Sequence, residues 1–266
     1  MNAPAAAPVD LSVVVPVYDE RDRLPSTLAA LRAHLDAGPH RWELIVVDDG
    51  SADGGADIVA RAAFGDPRVR LLRSPSNRGK GHAVRTGVAA SRGALVLFTD
   101  ADLATPLDEL PRLHAALMDG AVAAIASRAA GGRDVRRHRL RLLLARTGTT
   151  LIHAIVLRGV ADTQCGFKLF DGDRARTAFA AARVDGWGFD VEILCLFARR
   201  GWPVTEVPVR WTHRPGSKVR ASGYIRTLGD VMAIRLRHGR CRIVHPPRPL
   251  DAANTATTRT QPQAAA

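Results

Sequence analysis

Residues 94–102 read Ala-Leu-Val-Leu-Phe-Thr-Asp-Ala-Asp, an apolar run that breaks into two acids one residue apart. An apolar run without polar alternation predicts a strand over 94–99 that is buried on both faces, as in a parallel sheet. Toward the amino terminus, Leu11–Val17 (Leu-Ser-Val-Val-Val-Pro-Val), Trp42–Val47 and Val69–Leu72 have the same character and predict three earlier strands. A helix over about 25–36 separates the first two, with Leu24, Leu28, Leu31 and Leu35 at helical spacing and Gly38 as its stop. A second helix is predicted over 54–63, and a third from the glycine-rich loop 74–81 to Ser91. Toward the carboxyl terminus, Thr105, Pro106 and Asp108 form an N-cap signature for a fourth helix, and 121–126 predicts a fifth strand. Strands alternating with helices define an α/β fold with a mostly parallel central sheet flanked by helices.

Ligands of such sheets bind beyond the carboxyl ends of the strands. Here those ends carry Tyr18-Asp19-Glu20, Asp48-Asp49-Gly50-Ser51, Asn77–Gly81 and Asp100-Ala101-Asp102. Two carboxylates at one strand end can share a divalent cation and leave room in its shell for substrate oxygens. An acidic triplet alone equally fits a solvated turn, so position in the sheet decides its weight. Asp49 is placed to accept from a ribose or base, Gly50 allows a tight turn, and Ser51 is expected to cap the next helix. Ser76-Asn77-Arg78-Gly79-Lys80-Gly81 offers backbone N–H groups and a cation to a phosphate. Its glycine spacing is not that of a Walker motif, which argues against an ATPase.

The second half is more mixed. Six arginines (133, 136, 137, 139, 141 and 146) interleave with leucine and lead into an apolar stretch ending at Leu157. Asp190–Arg200 predicts a helix, Val204–Trp211 a strand, and 222–238 a basic helix carrying Ile225, Leu228, Val231, Met232 and Leu236. Segments 133–157 and 222–238 fit helices lying in a lipid headgroup plane, or core helices with solvated arginine faces. Residues 1–10 and 244–266 are expected to be disordered, leaving one domain over 11–243 with a nucleotide-binding half (11–126) and an acceptor-binding half (127–243).

The chain has 266 residues, 46% of them hydrophobic, which is enough for a proper core and excludes disordered, collagenous and disulfide-stapled classes. No run of about 18 apolar residues is present, and the first ten residues lack the basic start and apolar block of a secretory signal. Cys165, Cys195 and Cys241 are too few and scattered for a disulfide framework or zinc site, so a reducing compartment is expected. The formal charge of +12 calls for an anionic partner such as nucleic acid, lipid or a phosphate-bearing substrate. Nucleic acid is disfavoured: aromatics are 5% of residues, and acidic strand ends would repel phosphodiesters. Of 38 basic residues only Lys80, Lys168 and Lys218 are lysine, each within two residues of a glycine in a loop-like setting. A compact ammonium suits a phosphate, although chance explains three lysines as well.

Taken in order, Val-Pro-Val-Tyr-Asp-Glu (15–20), Val-Val-Asp-Asp-Gly-Ser (46–51), Asn-Arg-Gly-Lys-Gly-His-Ala-Val-Arg-Thr-Gly (77–87) and Phe-Thr-Asp-Ala-Asp-Leu (98–103) resemble the inverting glycosyltransferases of family 2. Ser127-Arg128, Asp162–Lys168, Gly188–Glu192 and Gly216-Ser217-Lys218 narrow the likeness to the dolichyl- or polyprenyl-phosphate sugar synthases, most closely the β-glucosyl branch. The resemblance, over about 11–218, implies a GT-A fold and a donor such as UDP-glucose. It assigns Pro16, Tyr18, Glu20 and Asp49 to the nucleoside, and Asp100 and Asp102 to a Mg²⁺ or Mn²⁺ diphosphate complex; Lys80, from the reading of the 76–81 loop, is a further candidate for the donor phosphates. Ala104 stands where the mannosyl branch usually has glutamine, which disfavours GDP-mannose.

A lipid monophosphate is already an anionic nucleophile and needs cationic positioning rather than a base. Arg128, Lys168 and Lys218 are therefore candidate clamps for an acceptor phosphate. Asp190 and Glu192 are candidates either for a base acting on a hydroxyl acceptor or for organising those cations, the second being favoured. Backside attack would invert the anomeric carbon and give a β-linked product. The expectation is a metal-dependent hexosyltransferase, with Asp102, Asp190, Glu192 and Arg128 closest to the chemistry, working on the cytoplasmic face of a membrane. A GDP-mannose enzyme, a soluble acceptor and a non-catalytic membrane-surface protein are the alternatives.

Overall fold

A computed structural model describes residues 8–128, 152, 155–212, 214 and 221–247. The first half alternates as β1 (Leu11–Val17), α1 (Leu24–Ala37), β2 (Trp42–Asp48), α2 (Gly55–Gly65), β3 (Val69–Arg73), α3 (Lys80–Ala90), β4 (Leu95–Thr99), α4 (Leu110–Met118) and β5 (Ala123–Ser127). The second half adds β6 (Leu157–Arg158), β7 (Phe167–Asp171), α5 (Gly172–Ala181), α6 (Phe189–Arg199), β8 (Val204–Pro208), α7 (Ala221–His238) and β9 (Cys241–Arg242).

Seven strands form one sheet in the order β3-β2-β1-β4-β7-β5-β8, and β6 pairs with β9 in a small second sheet. All neighbours in the large sheet are parallel except β7, which runs antiparallel between β4 and β5. Side chains alternate across each strand. Val14, Ile45, Val47, Val96 and Phe98 therefore pack under α3, α5, α6 and α7. Val13, Val15, Leu44, Val46 and Leu97 pack under α1, α2 and α4. Each such side chain contributes about 1.5–3 kcal/mol by burial, which is why β1, β2 and β4 need no polar face.

The amino-terminal end of these strands is closed by a polar network. Buried Glu43 accepts from Ser12 Oγ (2.7 Å), the Arg92 backbone N–H (2.7 Å), the Arg92 guanidinium (2.9 Å) and the Arg70 guanidinium (3.0 Å). Burial pushes its carboxyl up, but these donors outweigh burial and hold it below the usual range.

Several local expectations need correcting. Thr105 does not cap a helix: a 3₁₀ turn over Leu107–Glu109 precedes α4, no side chain caps it, and buried Thr105 meets Cys165 Sγ at 3.6 Å. Ser51 does not cap α2; its Oγ accepts from the Asp19 N–H (2.8 Å), and α2 begins four residues later. The strand expected over 204–211 stops at Pro208. Asp10 pairs with Arg41 (2.8 Å), and Val244 accepts from the Val204 N–H (2.8 Å), so the ordered domain extends past both expected edges. Cys195 and Cys241, 46 residues apart, are joined by a disulfide, with Cα atoms 5.4 Å apart. Packing of β9 against α6 brings them together, and the cysteine-based argument for a reducing compartment falls. Residues 133–151 and 153–154 of the arginine-leucine segment, and Lys218, lie outside the described residues.

Candidate active site

The carboxyl edge of the sheet is built by loops whose backbones are locked to one another. Asp19 (φ 49°) and Leu103 (φ 46°) are non-glycine residues in the left-handed region, and they lie in the loops that follow β1 and β4. Their cost is offset by hydrogen bonds. Asp19 Oδ1 accepts from the Ala52 N–H (3.0 Å), and Asp102 Oδ1 accepts from the Ala104 N–H (3.0 Å). The Asp100–Asp102 turn is held from three further directions. Thr27 of α1 donates to the Ala101 carbonyl (2.6 Å), the Asp100 N–H donates to the Gly166 carbonyl (3.0 Å), and the Thr212 N–H donates to the Ala104 carbonyl (2.9 Å).

Antiparallel β7 completes this centre. Gly166, just before it, lies directly under the Asp100 carboxylate, and a Cβ there would collide with both Asp100 oxygens. Lys80 Nζ bonds Asp100 Oδ1 at 2.6 Å. Burial pulls the Lys80 ammonium down, but Asp100, Asp190 and Asp102 outweigh it and raise it above its usual value. It remains a cation at neutral pH. Lys168 of β7, buried, donates to the Cys165 carbonyl (2.7 Å) and to Asp190 Oδ1 (2.5 Å). Burial pushes the Asp190 carboxyl up against the pull of Lys168 and Lys80.

Arg128, at the end of β5, is one-third exposed and forks onto Asp162 with contacts of 2.6 and 2.8 Å. Asp162 is held below the usual carboxylate range: burial opposes this, and the Arg128 hydrogen bonds and charge prevail. The Arg128 guanidinium also lies 5.7 Å from the Trp211 ring. It is thus presented at the rim with its orientation fixed.

Three sequence assignments change. Glu192 leaves the site. Residues two apart on a helix point about 200° apart, so Glu192 departs from the face opposite Asp190. It is fully buried, accepts from the Arg183 and Val184 N–H groups (2.8 and 2.7 Å), and faces His238 of α7 at 3.2 Å. Lys168 is an internal partner of Asp190 rather than a clamp open to an acceptor. The 76–81 loop is not an open phosphate cradle either. The Arg78 and Gly79 N–H groups donate to Asp49 (3.1 and 2.7 Å), and the His82 N–H donates to the Asp185 carbonyl (3.1 Å). Asp49, which burial pushes up, organises that loop. Pro16 lies one residue before the end of β1, opposite Val47, Tyr18 stands exposed at the rim, and Glu20 pairs with Arg23 at 2.6 Å.

Residues that the sequence reading left without a role are Gly166, Asp162 and Trp187. The first two lie inside the quoted 162–168 motif. Trp187 is signalled by its flanking glycines in Gly186-Trp187-Gly188. Among the described residues, no group of three or more His, Cys, Asp or Glu side chains forms a metal site from protein alone. Asp100 and Asp102 supply hard oxygen donors at the open edge, and such a pair fits a divalent cation whose remaining ligands come from a diphosphate.

A parallel sheet with paired acids, a buried lysine and a rim arginine at its carboxyl edge is the architecture of a nucleotide-sugar-dependent transferase of the GT-A type. Residues 12–174 match the model of glycosyl transferase family 2, and the chain belongs to that family as a glycosyltransferase. It is 40% identical over 235 residues to the dolichyl-phosphate beta-glucosyltransferase ALG5C of Trichomonas vaginalis, covering 84% of this chain and 70% of that one. It is 36% identical over 244 residues to the Homo sapiens dolichyl-phosphate beta-glucosyltransferase, covering 86% and 75%. In fold it is similar to the Pyrobaculum calidifontis mannosyltransferase PcManGT, solved with GDP-Man and Mn²⁺ (TM-score 0.63, 20% identity, 94% of this chain and 69% of that one). It is also similar to Mycobacterium tuberculosis glucosyl-3-phosphoglycerate synthase with Mn²⁺, UDP and phosphoglyceric acid (TM-score 0.63, 22% identity, 87% and 78%).

Proposed function

We propose that the protein transfers glucose from UDP-glucose to a polyprenyl phosphate of the dolichyl type, with inversion, at a membrane surface. The observation that carries this reading is the state of the two acids of α6. Asp190 is ion-paired to Lys168, and Glu192 is sealed behind the site by backbone N–H groups. Glu192 cannot reach a hydroxyl acceptor, and Asp190 is buried with its charge engaged by Lys168, an arrangement that favours an acceptor needing no base. A phosphate acceptor needs no base, because its oxygen is already anionic. The names of the similar dolichyl-phosphate beta-glucosyltransferases point the same way.

Asp100 and Asp102 would hold Mg²⁺ or Mn²⁺, which supplies charge stabilisation to the leaving diphosphate. Lys80 keeps Asp100 oriented and adds positive charge beside the same oxygens. Arg128, fixed by Asp162, draws a second anion to the rim, so that two negative groups can approach each other. By the motif likeness Pro16, Tyr18, Glu20 and Asp49 would lie on the nucleoside side, Asp49 through the loop it organises, and Ala104 supports UDP over GDP-mannose.

Among the described residues no helix is long and apolar enough to cross a membrane. Helix α7 exposes Leu228, Met232 and Leu236, each four residues from the last, with Arg226 and Arg237 also exposed. That stripe suits anionic headgroups above and acyl chains below, on the cytoplasmic leaflet where sugar nucleotides are at hand. Incubation with labelled UDP-glucose and Mg²⁺ tests the reading, with short-chain polyprenyl phosphate or phosphoglycerate as acceptor and GDP-mannose as competing donor. The expected product is β-linked polyprenyl-phosphate glucose, read by mass and by anomeric NMR. Label appearing only in a soluble acceptor would overturn it.

A further inference from the structure

Trp187 stands in the loop between α5 and α6 with about two-fifths of its surface open, although every neighbouring segment is fixed. Asp185 is gripped by Arg85 and by Arg78 (3.4 Å), and its carbonyl accepts from the His82 N–H (3.1 Å). On the other side, the Gly188 N–H donates to Asp230 of α7 (3.2 Å). A Cβ added to Gly188 would sit 2.5 Å from the Asp230 Cβ, so that flank requires glycine, and one added to Gly186 would press on the Asp230 carboxylate at 2.9 Å. The loop is bolted to α3 in front and to α7 behind, and between these two anchors the indole projects from it.

The ring centroid lies 4.9 Å from Lys80 Nζ, which bonds Asp100 at 2.6 Å. Lys80 anchors one side of the indole by a cation–π contact and ties it to the acid pair. A diphosphate held at Asp100 and Asp102 carries its sugar through an oxygen of the second phosphate, which would bring the hexose to the Lys80 side of the acid pair, where the indole stands. A rigid aromatic surface loses little conformational entropy when a ligand covers it.

We infer that Trp187 is the stacking platform for the donor hexose and sets preference for a sugar with equatorial hydroxyls. In an α-linked glucosyl donor the ring face opposite the axial anomeric oxygen presents only axial C–H groups, which lie flat against an indole, and the axial hydroxyl of galactose falls on that same face. An epimer with an axial hydroxyl, such as galactose, places a polar group on one face, and that group is desolvated against the ring without a partner. The inference rests on the nucleotide-sugar reading above and adds to it a residue that reads the sugar.

The test compares Trp187→Leu and Trp187→Phe with the parent in Mg²⁺, by calorimetry with UDP, UDP-glucose and UDP-galactose and by steady-state kinetics. Trp187→Leu is expected to weaken UDP-glucose about tenfold, leave UDP within twofold, and narrow the glucose-to-galactose ratio of kcat/KM. Trp187→Phe restores most of the loss. Binding of UDP-glucose quenches indole emission in the parent, and that component is missing from Trp187→Phe. Equal effects on UDP and UDP-glucose, an unchanged epimer ratio, or a change confined to the acceptor KM would each overturn the inference while leaving the donor reading standing. A parent protein that binds no sugar nucleotide removes the reading beneath it, and the inference falls with that reading.

Discussion

The two ends of the same parallel strands treat carboxylates in opposite ways. At the amino-terminal end, Glu43 is buried and surrounded by Ser12, Arg70 and the backbone and side chain of Arg92. At the carboxyl end, Asp100 is a third exposed and has one ammonium partner, and Asp102 caps its own turn. Satisfied acids hold a fold together, because removing any one donor strands a buried charge. Acids with spare lone pairs at an open edge add little stability and are available to a ligand. One sheet thus separates its structural and chemical acids by one strand length.

The contrast predicts which substitutions separate activity from stability. Asp102→Ala is expected to lower turnover by roughly 10³-fold while costing only about 1 kcal/mol of stability, seen as a near-normal denaturant midpoint. Comparable losses of both would erase the distinction between the ends. Gly166→Ala should lower activity by about 10²-fold by displacing the Asp100 carboxylate, with donor binding in Mg²⁺ weakened in parallel. Glu43→Gln is the converse case. It should cost about 3 kcal/mol in urea unfolding and leave kcat of the folded protein unchanged.

A smaller effect follows from pH. The folded-state pKa of Glu43 lies below the ordinary 4.5, so its contribution is complete above that value and lost as pH falls through the folded value. The stability gap between the parent and Glu43→Gln should therefore be largest at neutral pH and shrink below about pH 4.5. A gap that stays constant down to pH 3 would show that packing, not charge, stabilises that end.

The legibility of the chain in sequence follows the same division. Strands β1, β2 and β4 are readable because burial on both faces leaves unbroken apolar runs, and Asp100 and Asp102 stand where such a run stops. Strand β7 and helix α5 are not readable at that level. Phe-Lys-Leu-Phe-Asp carries a lysine at its second place, and only the fold reveals that this lysine is buried against Asp190. Glu192 misleads for a related reason: motif likeness places it beside Asp190, whereas helical geometry sends it to the far face. The role of Gly166 depends on the position of a side chain 66 residues earlier, which no local pattern encodes.

The inserted antiparallel strand has a consequence for biosynthesis. Strand β4 ends at Thr99, and its second neighbour begins at Phe167. As the chain emerges from the ribosome, β4 carries a bare hydrogen-bonding edge until that distant segment arrives. Nascent chains arrested between these points should be prone to self-association through that edge, and pairing through it should cease once residues 167–171 have emerged.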